Sequence, residues 1–253
     1  MKKISLLVLA CAGLVIHLNA TPTNCAARIV SYDPGVGFAA GYTNPAAALG
    51  APAQVNPYTE PTDPFDPPYG KEQIVSLGVG GSLTVKFDDD VENKKKNPFG
   101  VDFIIFGNTG FVITNDFDLM TYDWVGAPAT DGSLFANNTG ETRVSVSRDG
   151  RRFYALDPAP VADGIFPTDG AGDPRVPVNP ALTAADFAGA TLDGIRALYA
   201  GSAGGTGYDI ATAHDAKGKR VQFSSIKYVR IEVLSGKAEI DALCAVKRAA
   251  KDD

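Results

Sequence analysis

Leu83, Val85 and Phe87 alternate with Ser82, Thr84 and Lys86. Successive side chains of a strand point to opposite faces, so a period of two fits a half-buried β-strand and not a helix. The pattern returns: Val144 and Val146 alternate with Arg143, Ser145 and Ser147, and Val229, Ile231 and Val233 with Tyr228, Arg230 and Glu232. Residues 101–106 are apolar except Asp102, as a central strand covered on both faces should be. Residues 28–32 read as a further short strand. Ile240, Ala242, Cys244 and Val246 read as one face of a last strand, with Cys244 inward and Glu239 and Asp241 on the opposite face. Asp33-Pro34-Gly35 and Asp149-Gly150 supply turns. With 27 Gly and 17 Pro in 253 residues, the expectation is an all-β chain with long irregular loops and little helix. Helical turns are expected at 45–49 and 184–187.

Lys2 and Lys3, the apolar run 4–15 and Leu18-Asn19-Ala20 predict a secretory signal peptide over residues 1–20. Leu18 is large for its position, and cleavage as late as Ala27 stays open. Leu9-Ala10-Cys11 loosely mimics a lipid-attachment motif, so lipidation at Cys11 is a second reading. No later segment reaches the roughly 18 apolar residues of a membrane span. The expected location is secreted, periplasmic or cell-envelope. Without Lys2 and Lys3 the 23 basic residues become 21, against 29 acidic ones, a net charge of −8. Such a chain repels nucleic acid and anionic lipid. Lys94-Lys95-Lys96 follows Asp88-Asp89-Asp90 closely and reads as a solvated hairpin tip rather than a phosphate site. Cys25 and Cys244 remain after cleavage at Ala20, and an oxidising compartment pairs them. Two buried free thiols are the other reading, and cleavage after Ala27 would remove Cys25.

Nothing splits the chain, so one domain is expected over 25–248 with a frayed charged tail at 249–253. Residues 51–72, with six prolines, read as an irregular surface segment. Two long connections, 107–141 and 157–220, are expected to carry function or structure of their own.

Several short motifs follow one another along the chain. They are Gly41-Tyr42-Thr43 with Ala48-Leu49-Gly50, Pro68-Tyr69-Gly70, the run 80–85, and Phe99-Gly100-Val101-Asp102-Phe103 with Phe106-Gly107-Asn108. The runs 144–150, 204–209, 226–231 and 239–241 continue the series. In this order they resemble a group of bacterial secreted cell-surface proteins. The resemblance implies an antiparallel jelly-roll β-sandwich of the galactose-binding-like, discoidin-like kind. It implies no activity. Many such proteins end in a sorting segment; none is evident here, which favours a free form over a wall-anchored one.

After the leader the one histidine is His214, beside Asp215 in a polar stretch. A Ser-His-acid triad needs partners from elsewhere, and an exposed loop histidine is the plainer reading. No Gly-x-Ser-x-Gly elbow, His-Glu-x-x-His motif or phosphate loop occurs. One histidine and two pairing cysteines make a poor zinc or redox-metal set. Hard oxygen ligands suit calcium, with Asp102, Asn108, Asp209, Glu239 and Asp241 as candidates for a structural Ca2+. Asp102 and Asp241 as acceptors for loop amides is the alternative. In the 107–141 connection, Trp124 and Tyr122 offer stacking faces, and Asn115 and Asp118 hydrogen bonds, for a sugar. Trp124 as a plug at the end of the fold is equally open. Asn137-Asn138-Thr139 is a glycosylation sequon of little weight in a chain with these bacterial features. The expected function is non-catalytic binding of carbohydrate or another cell-surface component. A secreted glycan-active hydrolase using a carboxylate pair is the alternative. A structural envelope protein without a small ligand is a third.

Overall fold

The computed structural model describes residues 24–135, 140–157 and 166–246. The leader with Cys11, the sequon at 137–139 and the tail from 247 onward lie outside the described residues. Strands dominate. Nine of them form two antiparallel sheets: β1 Ala26–Asp33, β2 Val75–Gly78, β3 Ser82–Glu92, β4 Phe103–Gly107, β5 Thr142–Ser147, β6 Tyr154–Ala155, β7 Thr206–Tyr208, β8 Ser225–Val233 and β9 Lys237–Ala245. One sheet has the order β1-β3-β8-β5-β6, the other β7-β4-β9-β2. Each strand read from alternation forms where expected. Asp149 closes the β5–β6 turn by accepting the amides of Arg151 and Arg152. The two expected helical turns are 3-10 turns, Pro45–Ala48 and Ala184–Phe187.

The two sheets share one apolar cluster. Leu83, Val85, Phe87, Val146, Val229 and Ile231 come from the first, and Leu77, Phe103, Ile105, Ile240 and Leu243 from the second. Each fully buried Leu, Ile or Phe contributes roughly 1.5–3 kcal/mol relative to exposure. The other face of β4 is covered too: Ile104 and Phe106 join Val101, Ala203, Ala242, Cys25 and Cys244 in a second cluster. Cys25 and Cys244 form a disulfide there, 219 residues apart in sequence.

The parity expected for β9 breaks at one residue. Ile240 pairs with Gly107 but Ala242 with Phe106, so Asp241 is an extra residue in the ladder. A bulge of this kind switches which face the following side chains take. Ala238 and Ile240 face the shared core, and after the bulge Leu243 and Ala245 do so. Ala242 and Cys244 therefore lie on the opposite face from Ile240, against strict alternation.

Residues 51–72 are not merely surface. Pro52, Asn56, Thr62, Pro64, Pro67 and Pro68 are buried. The long connections build a third cluster from Phe111, Phe166, Val178, Phe187, Ile195 and Tyr199. Its centre is α1, Leu192–Tyr199, a helix not foreseen from sequence. Ile195 and Tyr199, four apart, share its buried face. Arg196 on α1 donates to both oxygens of the buried Asp169, at 2.8 and 3.0 Å.

Candidate functional site: an aromatic hairpin

Residues 115–129 make a projecting hairpin. Phe117–Asp118 pairs with Asp123–Trp124 in an antiparallel two-residue ladder. Asn115 ties its base: the side-chain nitrogen donates to the carbonyls of Val125 (3.0 Å) and Ala127 (3.1 Å), and the oxygen accepts from the Ala129 amide (2.7 Å). Asp118 accepts the Met120 amide at 2.7 Å, and this bond holds its carboxyl below the ordinary range. Asp123 accepts the Trp124 amide. Both polar residues expected to touch a ligand thus serve the loop itself. The turn ends at Tyr122, whose φ of +58° is unusual for a residue with a Cβ.

This geometry holds three rings together. Phe117 meets Trp124 edge-on at 5.0 Å and Tyr122 at 5.4 Å. Tyr122 is 80% exposed and Phe117 40%, with Met120 at the tip 94% exposed. Trp124 is half-buried and belongs to none of the three buried clusters. It does not plug the fold. Phe117 was absent from the residues expected at the site; its signal was its place across a hairpin from Trp124. No Lys or Arg occurs between Asn97 and Glu141.

The candidate calcium ligands serve several separate contacts. Buried Asp102 accepts the Lys94 amide (3.0 Å), the Asn97 side chain (2.8 Å) and the Ile210 amide (3.0 Å). It welds the turn after β3 to the turn after β7. Burial pushes its carboxyl up to about 6, against the pull of the Lys94 and Ile210 amides. Asp209 caps the turn at Ile210–Thr212 by accepting the Ala211 amide. Asn108 donates to Glu239 at 2.8 Å, and Lys237 meets the other Glu239 oxygen at 2.7 Å. Asp241, fully buried, has the Ala53 amide as its donor, at 3.1 and 3.3 Å from its two oxygens, and burial pushes it up to about 8. Among the described residues no group of three or more His, Cys, Asp or Glu side chains is arranged to hold a metal. The buried Asn108 side-chain oxygen is the one orphan acceptor here, short of the six to eight oxygens calcium takes.

His214 meets Asp157, not Asp215. Its Nδ1 lies 3.6 Å from an Asp157 oxygen, which Arg220 also holds, at 3.0 Å. Asp215 instead accepts the amides of Lys217 and Lys219. His214 borders a pocket of about 200 Å3 with Val144, Leu156, Tyr208 and Leu234. A larger cleft, about 520 Å3, is lined by Asp89, Asp90, Glu92, Lys94, Asn97 and Asp102 among others. Glu92 there pairs with Lys94, and Asp90 with Lys227 and Ser225.

No protein-family model matches this chain, and comparison with curated proteins finds no match.

Proposed function

We propose that the protein is a secreted, non-catalytic binding module of galactose-binding-like jelly-roll type that engages carbohydrate through the 115–129 hairpin. The observation that carries this is the ring cluster of Phe117, Tyr122 and Trp124, braced from within and open to solvent at Tyr122. Rings held in place before binding present a stacking face to a sugar at little entropic cost. The jelly-roll reading draws support from two antiparallel sheets over one shared core. Secretion draws support from the leader-like N-terminus and the Cys25–Cys244 disulfide. The resemblance to bacterial cell-surface proteins is in line with both.

The hydrolase alternative draws less support. Asp102 is the carboxyl with a raised pKa in a cleft rich in carboxylates, but its two oxygens accept three hydrogen bonds, from the Lys94 and Ile210 amides and the Asn97 side chain. A general acid needs a proton to give and a free path to the leaving group. The test is a glycan array followed by calorimetry with the neutral oligosaccharides that score. Tyr122→Ala and Trp124→Ala should abolish binding while circular dichroism stays native. A blank array for the wild-type protein would overturn the reading in favour of a structural envelope role.

A further inference from the structure

A second cleft lies away from the hairpin, with an open volume of about 590 Å3. Its walls come from the turn after β3 (Asn93, Lys95), the turn after β7 (Asp209, Thr212) and the approach to β8 (Arg220, Gln222, Phe223). These segments are not loosely placed. Asp102 binds the backbone on either side of the cleft, at Lys94 and at Ile210, and Asn93 donates its amide to Ser224. Phe223 is held edge-on against Tyr154 at 5.3 Å and packs on the shared core. The frame is therefore rigid.

The side chains it carries are less committed. Arg220 is bound to Asp157, and Asp209 caps its own turn. The carboxamides of Asn93 and Gln222 and the ammonium of Lys95 take no hydrogen bond or ion pair within the described residues. Two carboxamides, each both donor and acceptor, match sugar hydroxyls. One ring offers an apolar wall. Asp157 neutralises Arg220, and Lys95 and Asp209 balance in formal charge, so the lining has no net charge and Lys95 is its cation without an ion-pair partner among the described residues. Lys94, by contrast, is neutralised by Glu92. The basic run singled out in the sequence thus divides: one lysine braces its strand and the next faces a cleft.

We infer that this cleft binds a hydroxylated carboxylate of hexuronate size, its carboxylate on Lys95 and its hydroxyls on Asn93 and Gln222. It would be a site distinct from the hairpin, with the opposite charge preference, since the hairpin segment carries no cation.

The experiment is calorimetric titration of the purified protein with glucuronate and with glucose. Lys95→Met, Gln222→Ala and Tyr122→Ala are compared with wild type. Lys95 and Gln222 are exposed, so neither replacement disturbs the core. Glucuronate should bind roughly tenfold or more tightly than glucose, and Lys95→Met should erase that preference. Gln222→Ala should weaken glucuronate, and Tyr122→Ala should leave it unchanged. Equal affinity for the two sugars, no saturable glucuronate binding, or glucuronate binding indifferent to Lys95→Met would each overturn the inference. Loss in Tyr122→Ala would move the ligand to the hairpin. A failure here leaves the neutral-glycan reading of the hairpin standing, because the two sites share no residue.

Discussion

Replacing Asp241 by Asn isolates the energetic consequence of a carboxyl placed at a bulge. Asp241 is buried, has one backbone donor at 3.1–3.3 Å, and titrates at about 8 instead of 3.8. Between those values the folded chain holds a proton that the unfolded chain has released. Stability therefore falls as pH rises across this window, by about 1.4 kcal/mol per pH unit. From pH 4.5 to 7.5 the loss is about 4 kcal/mol, to order of magnitude. Asn keeps the shape and can still accept from Ala53, but it does not ionise. The variant should match wild type to within about 1 kcal/mol near pH 4.5 and exceed it by several kcal/mol at pH 7.5. Urea unfolding at four pH values measures this. The difference between variant and wild type cancels the other titrating groups. These include Asp118, Asp131, Asp149, Asp157 and Asp186, whose lowered values add stability above their unfolded pKa that is lost as pH falls. They also include Asp102, which acts in the same direction as Asp241 up to about pH 6. A difference that stays flat across the range would refute the reasoning and mean that Asp241 is solvated or counter-charged.

Replacing Cys25 and Cys244 together by Ala should cost about 5 kcal/mol, the loop-closure value for a 219-residue separation; a loss under about 2 kcal/mol in denaturant titration would count against it. Asn115→Ala removes three hydrogen bonds at the hairpin base and should cost roughly 1–3 kcal/mol locally. Amide exchange should quicken across 115–129 while the shared core stays protected, and uniform quickening would show that the hairpin is coupled to global unfolding. The carboxylates once expected to hold calcium are satisfied by amides, Asn97, Asn108 and Lys237, so melting temperatures in calcium and in chelator should agree. A rise of several degrees with calcium would restore the ion.

The sheets were legible because alternation is a local consequence of strand geometry. Leu83, Val85 and Phe87 point the same way whatever their partners, and a central strand such as 103–107 shows itself by losing the alternation. The disulfide followed from counting cysteines and from compartment, although the face assigned to Cys244 was wrong. That error traces to Asp241. A bulge is set by pairing with β4 and leaves no mark on the spacing of β9, so parity counted past it inverts. Helix α1 escaped for a related reason. Its eight residues include Gly194, and its buried face is completed by Phe166 and Phe187, which both meet Tyr199.

The site was half legible. Trp124 and Tyr122 stood out in the sequence because aromatic residues in a long polar connection are few. The part played by Asn115 and Asp118 was not legible, because Asn and Asp in a loop look the same whether they face a ligand or the backbone. In the hairpin they face the backbone, and that decides what the rings are free to do. Asn115 and Asp118 fix the turn with their hydrogen bonds, so Tyr122 is held exposed by the loop itself. The same division runs through the turn after β3. There Asp102 takes the backbone amides and Asn97, and Asn93 and Lys95 are left uncommitted beside a cleft. In both places polar residues singled out in the sequence, Asn115 and Asp118 in one and Asp102 in the other, hold the frame on which the proposed binding residues stand.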